Sequence, residues 1–280
     1  MGYGNTYGSC YSPSKKLSET LFERFLRWME SIGEKNEEKL TGSLDGIISS
    51  AGFHRDEIDR QGKTELETKL DLFPQSDHTD FFGLLDSLNL KDPYSKGKIL
   101  DKSTSSGDLY MNTLPTIDHA FTLVESKDKV KIKEKGKAQY IARGDITLIE
   151  RLEQEVSYIR KGVGITAVAQ RIDNSRQEIQ LLGTIVRENK ELFVLNNHTG
   201  RIFVVESHFA YIKGNRDNHL MQLEVEYYGR LHGNFPPKPH LYDDIAGLTS
   251  VVMKDLPRLG YDSKSSALTK FDWVRANVHQ

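Results

Sequence analysis

The sequence predicts an α+β protein built around a closed antiparallel β-barrel, with helices packed outside the barrel and a helical extension at the N-terminus. Three segments carry this prediction, because each alternates charged and apolar residues with the period of two that a β-strand requires. They are residues 127–137, 65–70 and 222–227. In a closed barrel the two faces of such strands become a polar lumen and an apolar outer shell.

The first of these segments is a lysine stripe. Residues 127–137 place lysine at every odd position, with Val130 and Ile132 at even positions near the middle. Read as a strand, the segment has one face of ammonium groups and one partly apolar face. Like charges on one face repel each other, so this face is either solvated by bulk water or bound to a polyanion such as a phosphate chain.

The other two segments carry glutamates two residues apart. Glu65 and Glu67 share a strand face with Lys69, and Glu224 shares a face with Glu226. Carboxylates of this kind bind hard cations such as Mg²⁺ or Mn²⁺. A metal held by these pairs would act together with the lysine stripe to hold a phosphate chain.

The order of these segments resembles the triphosphate tunnel metalloenzymes, also called the CYTH superfamily. Glu65, Glu67 and Lys69 match the ExExK signature of that family. The lysine strand resembles its basic strand, and Glu224 with Glu226 resembles its late acidic pair. Two weaker matches are Asp108-Leu109-Tyr110, like the family's short second strand, and Ser263–Leu268, like its Ser-Lys segment near the C-terminus. The chain departs from the family in having lysine where arginine is common, and in a poor match to the strand before the late pair.

The resemblance implies a tunnel domain over residues 62–280, preceded by an extension over residues 1–61. It implies metal-binding and catalytic roles for four carboxylates: Glu65, Glu67, Glu224 and Glu226. It implies phosphate binding by six cations: Lys69, Lys129, Lys131, Lys133, Arg171 and Arg187. The expected cofactor is Mg²⁺ or Mn²⁺.

The activities that the resemblance implies share a triphosphate substrate. They are hydrolysis of inorganic tripolyphosphate, of a nucleoside triphosphate, of thiamine triphosphate or of an RNA 5′-triphosphate. One alternative is an adenylate cyclase that converts ATP to cyclic AMP and pyrophosphate. The non-enzymatic alternative is a sensor that binds a nucleotide or polyphosphate. The expected partners are a triphosphate-containing small molecule and the 5′ end of an RNA, with the protein a monomer or a homodimer.

The N-terminal extension begins with residues 1–13, whose Gly, Tyr and Ser content predicts little regular structure. Apolar residues then recur at helical spacing over residues 14–32, at Leu17, Leu21, Phe25, Trp28 and Ile32. A shorter helix is predicted near residues 44–51. The apolar stripe of the first helix is expected to pack on the barrel or on a partner.

The remaining elements follow in order. The pattern predicts strands over residues 63–73, 109–113 and 120–124, the lysine strand, helices over 79–90 and 145–159, and a loop over 91–107. The second half predicts a meander of strands over 165–172, 178–188, 190–195, 201–209 and 219–228, with turns at 196–200 and 213–218. Helices are predicted over residues 244–256 and 260–277.

Composition and missing motifs exclude several classes. The net charge is −2, so no global basic field indicates DNA binding, and the single cysteine excludes an internal disulfide framework. The sequence predicts no membrane span and no signal peptide, which indicates a cytoplasmic protein. It contains no P-loop and no GxSxG motif. His198 and His208 are predicted to be surface or turn residues rather than ligands, and Glu206 is predicted to face the outer shell because it shares a strand face with Ile202 and Val204.

Overall fold

The computed structural model describes residues 53–54, 64–77, 79–112, 120–125, 130–158, 179–231 and 238–277. Side chains are described over 64–77, 79–109, 135–153, 181–231 and 240–277. The predicted helices at 14–32 and 44–51, the predicted strand at 165–172, Lys129 and Arg171 lie outside the described residues. The division into an extension and a tunnel domain stays a prediction.

Strands dominate the described chain, in which few helices occur. The strands are β1 Phe53–His54, β2 Thr64–Pro74, β3 Tyr94–Asn112, β4 Ala120–Glu125, β5 Val130–Lys135, β6 Gln139–Arg143, β7 Ile146–Tyr158, β8 Ile179–Asn196, β9 Arg201–Ile212, β10 Asn215–Leu231 and β11 Tyr261–Ser266. The α-helices are α1 Leu84–Ser87, α2 Lys238–Asp255 and α3 Lys270–Asn277, and a 3₁₀ turn spans Leu256–Leu259. Among the helices described, none is long and apolar enough to cross a membrane.

The eleven strands of the described chain form one antiparallel sheet. Their order is β1-β10-β9-β8-β3-β4-β5-β7-β2-β11, with β6 paired to β7 and an additional pairing between β2 and β10. The predicted turn at 196–200 connects β8 to β9, and the turn predicted at 213–218 is shorter, because residues 215–218 already belong to β10. Gly200 and Gly214 adopt the positive φ that such turns require. An α+β fold with a mainly antiparallel sheet is therefore present.

Strand β2 has three partners. Residues 64–68 pair with β7 and residues 69–74 pair with β11, so these two partners follow one another along one edge. Residues 67–71 pair with β10 along the other edge. The ExExK segment therefore lies between strands that come from the middle and the end of the chain.

The main apolar core lies between the sheet and α2. Leu66 and Leu70 of β2 and Val225 of β10 are fully buried in this core, together with Ile245 and Leu248 of α2. The hydroxyl of Thr68 lies 2.7 Å from that of Thr249 in the helix. Because side chains alternate along a strand, Glu65, Glu67 and Lys69 are on the face of β2 turned away from α2.

A second apolar cluster lies on that opposite face of the sheet. Trp273 and Val274 of α3 pack there against Leu109, Leu182, Ile185, Ala210 and Leu220. Ala210 and Leu220 each lie two residues from His208 and Gln222, on the same faces of β9 and β10. The C-terminal helix therefore covers part of the sheet face that carries the ExExK side chains.

The predicted helix at 145–159 is wrong, because this segment forms strand β7. Its apolar residues recur at helical spacing because both faces of β7 are covered: Ile146 and Leu148 join the main core, and Ile149 is buried on the other side. Its β-branched residues favour a strand. The helix predicted at 79–90 is reduced to Leu84–Ser87, and the loop predicted at 91–107 belongs mostly to β3. The pairing of β3 with β8 is irregular between Lys96 and Ser103, whereas the run Ser103–Ser106 pairs in continuous register.

Candidate functional site

Charged side chains gather on the sheet face opposite α2, which we call the ionic face. Its members are Glu65, Glu67 and Lys69 of β2, Lys135 of β5, Arg151 and Glu153 of β7, Arg187 and Glu191 of β8, Glu206 and His208 of β9, Glu224 and Glu226 of β10, and Lys270 of α3. Strand register explains why these charges meet. Lys69 is directly opposite Glu224, Glu65 opposite Arg151, and Lys135 opposite Glu153.

The two glutamates of the ExExK segment are bound by cations of neighbouring strands. The Lys135 ammonium lies 2.9 Å and 3.0 Å from the two carboxylate oxygens of Glu65, and Arg151 Nε donates to Glu65 Oε2 at 2.7 Å. Arg151 also donates to Glu67, whose other oxygen is 3.1 Å from Lys69 Nζ. Burial raises the pKa of Glu65, but Lys135 and Arg151 outweigh it and hold that pKa well below its usual range.

Two lysines donate hydrogen bonds to the same carboxylate oxygen of Glu224. Its Oε1 accepts hydrogen bonds from Lys69 and from Lys270 of α3, each at 2.6 Å. Burial raises the pKa of Glu224, but Lys270 and Lys69 outweigh it and hold that pKa well below its usual range. Burial also lowers the pKa of Lys270 to about 8, although Glu224 opposes that shift. The carboxylate is therefore ionised at neutral pH, and its Oε1 is hydrogen-bonded to both lysines.

The other oxygen of Glu224 faces a histidine and a second carboxylate. His208 Nε2 lies 3.2 Å from Glu224 Oε2 and 2.8 Å from Glu206 Oε2. One ligand atom from each of Glu206, His208 and Glu224 can be chosen so that all three lie within 4.8 Å of one another. These three residues could hold a metal ion.

The structure corrects two predictions about this group. His208 is buried rather than a surface or turn residue. Glu206 does not face the outer shell, because it lies beside His208 and directly opposite Glu224 in the β9–β10 register. Burial and Lys270 lower the pKa of His208, but the carboxylates of Glu224 and Glu206 outweigh them and raise it above its usual value.

Two residues of β8 complete the ionic face. Arg187 lies near Glu224, Glu206 and Glu153, and its buried Nε makes no hydrogen bond within the described chain. Burial lowers the pKa of Arg187, against the opposing effect of Glu224. Glu191 is opposite Glu206 in the β8–β9 register. Burial raises the pKa of Glu191 to about 7, with a further contribution from the charge of Glu206.

The structure brings together six of the residues predicted for the site: Glu65, Glu67, Lys69, Arg187, Glu224 and Glu226. Lys131 and Lys133 lie on the described backbone of β5, but their side chains are outside the described residues. Lys135 of the lysine stripe is not among the six predicted phosphate-binding residues, and it pairs with Glu65 and with Glu153, the latter at 3.3 Å. Arg151 is absent from the predicted site because its strand was predicted to be a helix. Lys270 is absent because nothing in its segment distinguishes it from a surface lysine.

Arg201 has a structural position rather than a place on the ionic face. It is fully buried and pairs with Asp244 of α2, on the outer side of the sheet. This pair fixes the start of β9 to the helix that covers the main core. Of Arg187 and Arg201, only Arg187 lies at the candidate site.

Comparison with solved structures gives distant similarities. A chain of the Schizosaccharomyces pombe Mediator head module aligns over 72% of this chain and 98% of its own length, with 14% identity and a TM-score of 0.40. S. pombe Pct1 RNA triphosphatase in complex with the Spt5 CTD aligns over 80% and 91%, with 11% identity and a TM-score of 0.27. A second structure of S. pombe Pct1 RNA triphosphatase aligns over 82% of this chain and 95% of its own length, with 10% identity and a TM-score of 0.26. No family model and no curated protein matches the chain.

Proposed function

We propose that this protein is a metal-dependent phosphohydrolase that acts on a triphosphate held at the ionic face. The observation that carries the proposal is the buried network that runs from Glu65 through Arg151, Glu67 and Lys69 to Glu224. Buried ion pairs contribute little stability compared with apolar residues of similar volume. Groups with strongly shifted pKa values, in contrast, gather at functional sites.

The proposal includes a closed tunnel around this face. The pairing of β2 with β10 supports closure, because it joins strands near the two ends of the strand order. The main core and α2 cover one side of the sheet, so the charged side chains lie on the side that the tunnel would enclose. Such a tunnel would exclude bulk water and so strengthen each charge interaction with a bound phosphate chain.

Cations of the ionic face would bind the phosphate oxygens. We propose this role for the six predicted residues: Lys69, Lys129, Lys131, Lys133, Arg171 and Arg187. Arg187 supports it best, because its guanidinium is turned toward the site and its buried Nε makes no hydrogen bond with any described residue. Neutralising the charge of the phosphate chain lets a water molecule approach the phosphorus atom.

Carboxylates of the ionic face would hold the metal and orient the attacking water. The predicted set is Glu65, Glu67, Glu224 and Glu226, and its oxygen donors fit Mg²⁺ or Mn²⁺. Glu65 and Glu67 are bound by Arg151 and by lysines, so phosphate oxygens would compete with them for these cations. A bound metal ion supplies Lewis-acid polarisation of the phosphoryl group and a more acidic water.

A sensor that binds a triphosphate without cleaving it is the second candidate. It is favoured by the pairing of Glu65, Glu67 and Glu224 with cations of the chain itself, which balances the charges without a metal. Within the described part of the chain, no specific contact favours the adenylate cyclase alternative, and analysis of the reaction products tests it.

The test is a product analysis. The purified protein is incubated with tripolyphosphate, ATP, GTP or a 5′-triphosphate RNA, each with Mg²⁺ or Mn²⁺. The proposal expects metal-dependent release of orthophosphate from at least one substrate. Cyclic AMP with pyrophosphate would establish the cyclase instead, and tight binding without products would establish the sensor.

Matched glutamate variants locate the activity. Glu65→Gln combined with Glu67→Gln should abolish turnover and its metal dependence together. Glu188→Gln is the control, because Glu188 is also buried and paired, to Lys102 at 2.6 Å and Arg216 at 2.8 Å, but outside the ionic face. If the double variant hydrolyses triphosphates at the wild-type rate, the proposed site is wrong.

A further inference from the structure

The group formed by Glu206, His208 and Glu224 differs in chemistry from the all-carboxylate set that the sequence predicts. Two adjacent strands supply it: β9 contributes Glu206 and His208, and β10 contributes Glu224. We infer that these three residues form a binding site for a divalent first-row transition metal such as Mn²⁺, Fe²⁺, Co²⁺ or Zn²⁺, with the imidazole of His208 as a ligand. The ion's part in catalysis rests on the proposed function, whereas its binding does not.

His208 itself indicates a ligand. Its side chain is 7% exposed, and neither ring nitrogen makes a hydrogen bond of regular geometry within the described chain. Nε2 nevertheless lies 2.8 Å and 3.2 Å from oxygens of Glu206 and Glu224. Buried polar atoms in native proteins are rarely left without a partner. A metal ion bound between the imidazole and the two carboxylates would take the place of a proton on Nε2.

Glu224 is oriented for this role by its other oxygen. Lys69 and Lys270 both donate to Oε1 at 2.6 Å, so Oε2 is the atom directed at His208. Hydrogen bonds of this kind fix the orientation of metal-ligating carboxylates in known sites. Arg187 and Lys270 bring positive charge close to the same carboxylates, and an anion bound with the metal would balance it.

The ligand type sets the class of metal. Mg²⁺ prefers oxygen ligands in octahedral geometry, whereas imidazole suits transition metals. Two carboxylates and one histidine make three protein ligands, which leaves coordination positions open for water or a phosphate oxygen. The predicted set of Glu65, Glu67, Glu224 and Glu226 has no nitrogen ligand. Coupling of the bound metal to a nitrogen nucleus therefore distinguishes a site that includes His208 from the all-carboxylate site.

The test uses the full chain and Mn²⁺ alone, without a triphosphate. Binding is followed by electron paramagnetic resonance, and coupling of the bound Mn²⁺ to a ¹⁴N nucleus is measured by electron spin echo. We expect one bound Mn²⁺ with imidazole nitrogen coupling, which a large excess of Mg²⁺ does not remove. His208→Ala should abolish the coupling and weaken binding by at least about tenfold. Glu206→Gln should weaken binding while keeping the coupling.

His198→Ala is the matched control, because His198 lies in the exposed turn between β8 and β9 and should leave the spectrum unchanged. Thermal melting of every variant checks folding. Absence of bound Mn²⁺ in the wild type, nitrogen coupling that persists in His208→Ala, or equal competition by Mg²⁺ would each overturn the inference. Phosphate release without nitrogen-coupled metal would leave the proposed function in place, whereas nitrogen-coupled metal without any release would refute that function and leave the site.

Discussion

Lys69 and Glu224 are directly opposite each other in the β2–β10 ladder, and the Lys69 ammonium lies 2.6 Å from Glu224 Oε1. Both side chains are almost fully buried, and Lys69 also contacts Glu67 at 3.1 Å. One lysine therefore neutralises carboxylates on two strands. This contact links the ExExK segment to the late acidic pair.

Replacing Lys69 with methionine keeps the length of the side chain and removes its charge. Two buried carboxylates then lose a partner, and breaking a buried ion pair typically costs about 3–5 kcal/mol. We expect a loss of that size in the free energy of urea unfolding. Lys254→Met, at the end of α2, is the control and should change it by less than about 0.5 kcal/mol. Equal stability of the two variants would mean that the lysine carries no structural role.

Replacing Arg187 with alanine removes a proposed phosphate contact. Loss of a charge-assisted hydrogen bond is worth about 1.5–3 kcal/mol, or roughly a ten- to hundredfold change in affinity. We expect KM for the triphosphate to rise by that factor, with a smaller change in kcat. Steady-state kinetics of phosphate release measure both constants. Arg275→Ala, at an exposed position of α3, is the matched control, and an unchanged KM in Arg187→Ala would remove Arg187 from the substrate site.

Glu191 makes stability depend on pH. Burial raises its pKa to about 7 from an ordinary value of 4.5, with Glu206 adding to the shift. The folded state therefore holds a proton at this group that the unfolded state has released, and stability falls as the pH rises from about 4.5 to 7. In Glu191→Gln this contribution disappears. Urea midpoints at pH 5 and pH 8 should show a smaller drop for the variant than for the wild type.

Other carboxylates act in the opposite direction, since burial is outweighed by cations and the pKa values of Glu65 and Glu224 are lowered. Stability from those groups is lost as the pH falls. The difference between wild type and variant isolates Glu191 from them. Asp217→Asn, at an exposed position, should keep the wild-type pH dependence, and an identical pH dependence in Glu191→Gln would contradict the prediction.

Trp273 anchors α3 to the sheet. Its side chain is buried against the cluster that contains Leu109 and Ala210, and truncation of a buried tryptophan to alanine typically costs about 3–5 kcal/mol. We expect Trp273→Ala to lower the free energy of unfolding by that amount. Phe73→Ala, which truncates an aromatic side chain that is 53% exposed, should have an effect within about 0.5 kcal/mol. A small effect in Trp273→Ala would mean that α3 contributes little to the fold.

The sequence predicted the parts of the site in which charge and polarity alternate cleanly. Glu65 and Lys69 lie on one face of β2 because alternation is a local property of a strand, and the same holds for Glu224 on β10. The strand that carries Arg151 could not be recognised in this way, because Ile149 interrupts its polar face and Glu150 and Gln154 interrupt its apolar face. Its β-branched residues and the alternation of Arg151 with Glu153 were the signals available.

His208 illustrates a second limit. A lone histidine in a strand has no spacing pattern that identifies a ligand, and its environment depends on which residues the neighbouring strands place beside it. The register of β9 against β10 sets Glu206 opposite Glu224 and brings His208 within reach of both carboxylates. That register depends on long-range pairing, which no local pattern in the sequence contains.

The pairing of β2 has a consequence for synthesis of the chain. Lys69 and Glu224 are 155 residues apart, so at about 5–20 residues per second β2 waits roughly 8 to 30 s for β10 to be translated. During that interval β7 becomes available to pair with residues 64–68, but Leu70 has neither its partner Leu223 nor α2 to cover it. The nascent chain is therefore exposed to aggregation on the ribosome, and added chaperones should increase the yield of folded protein.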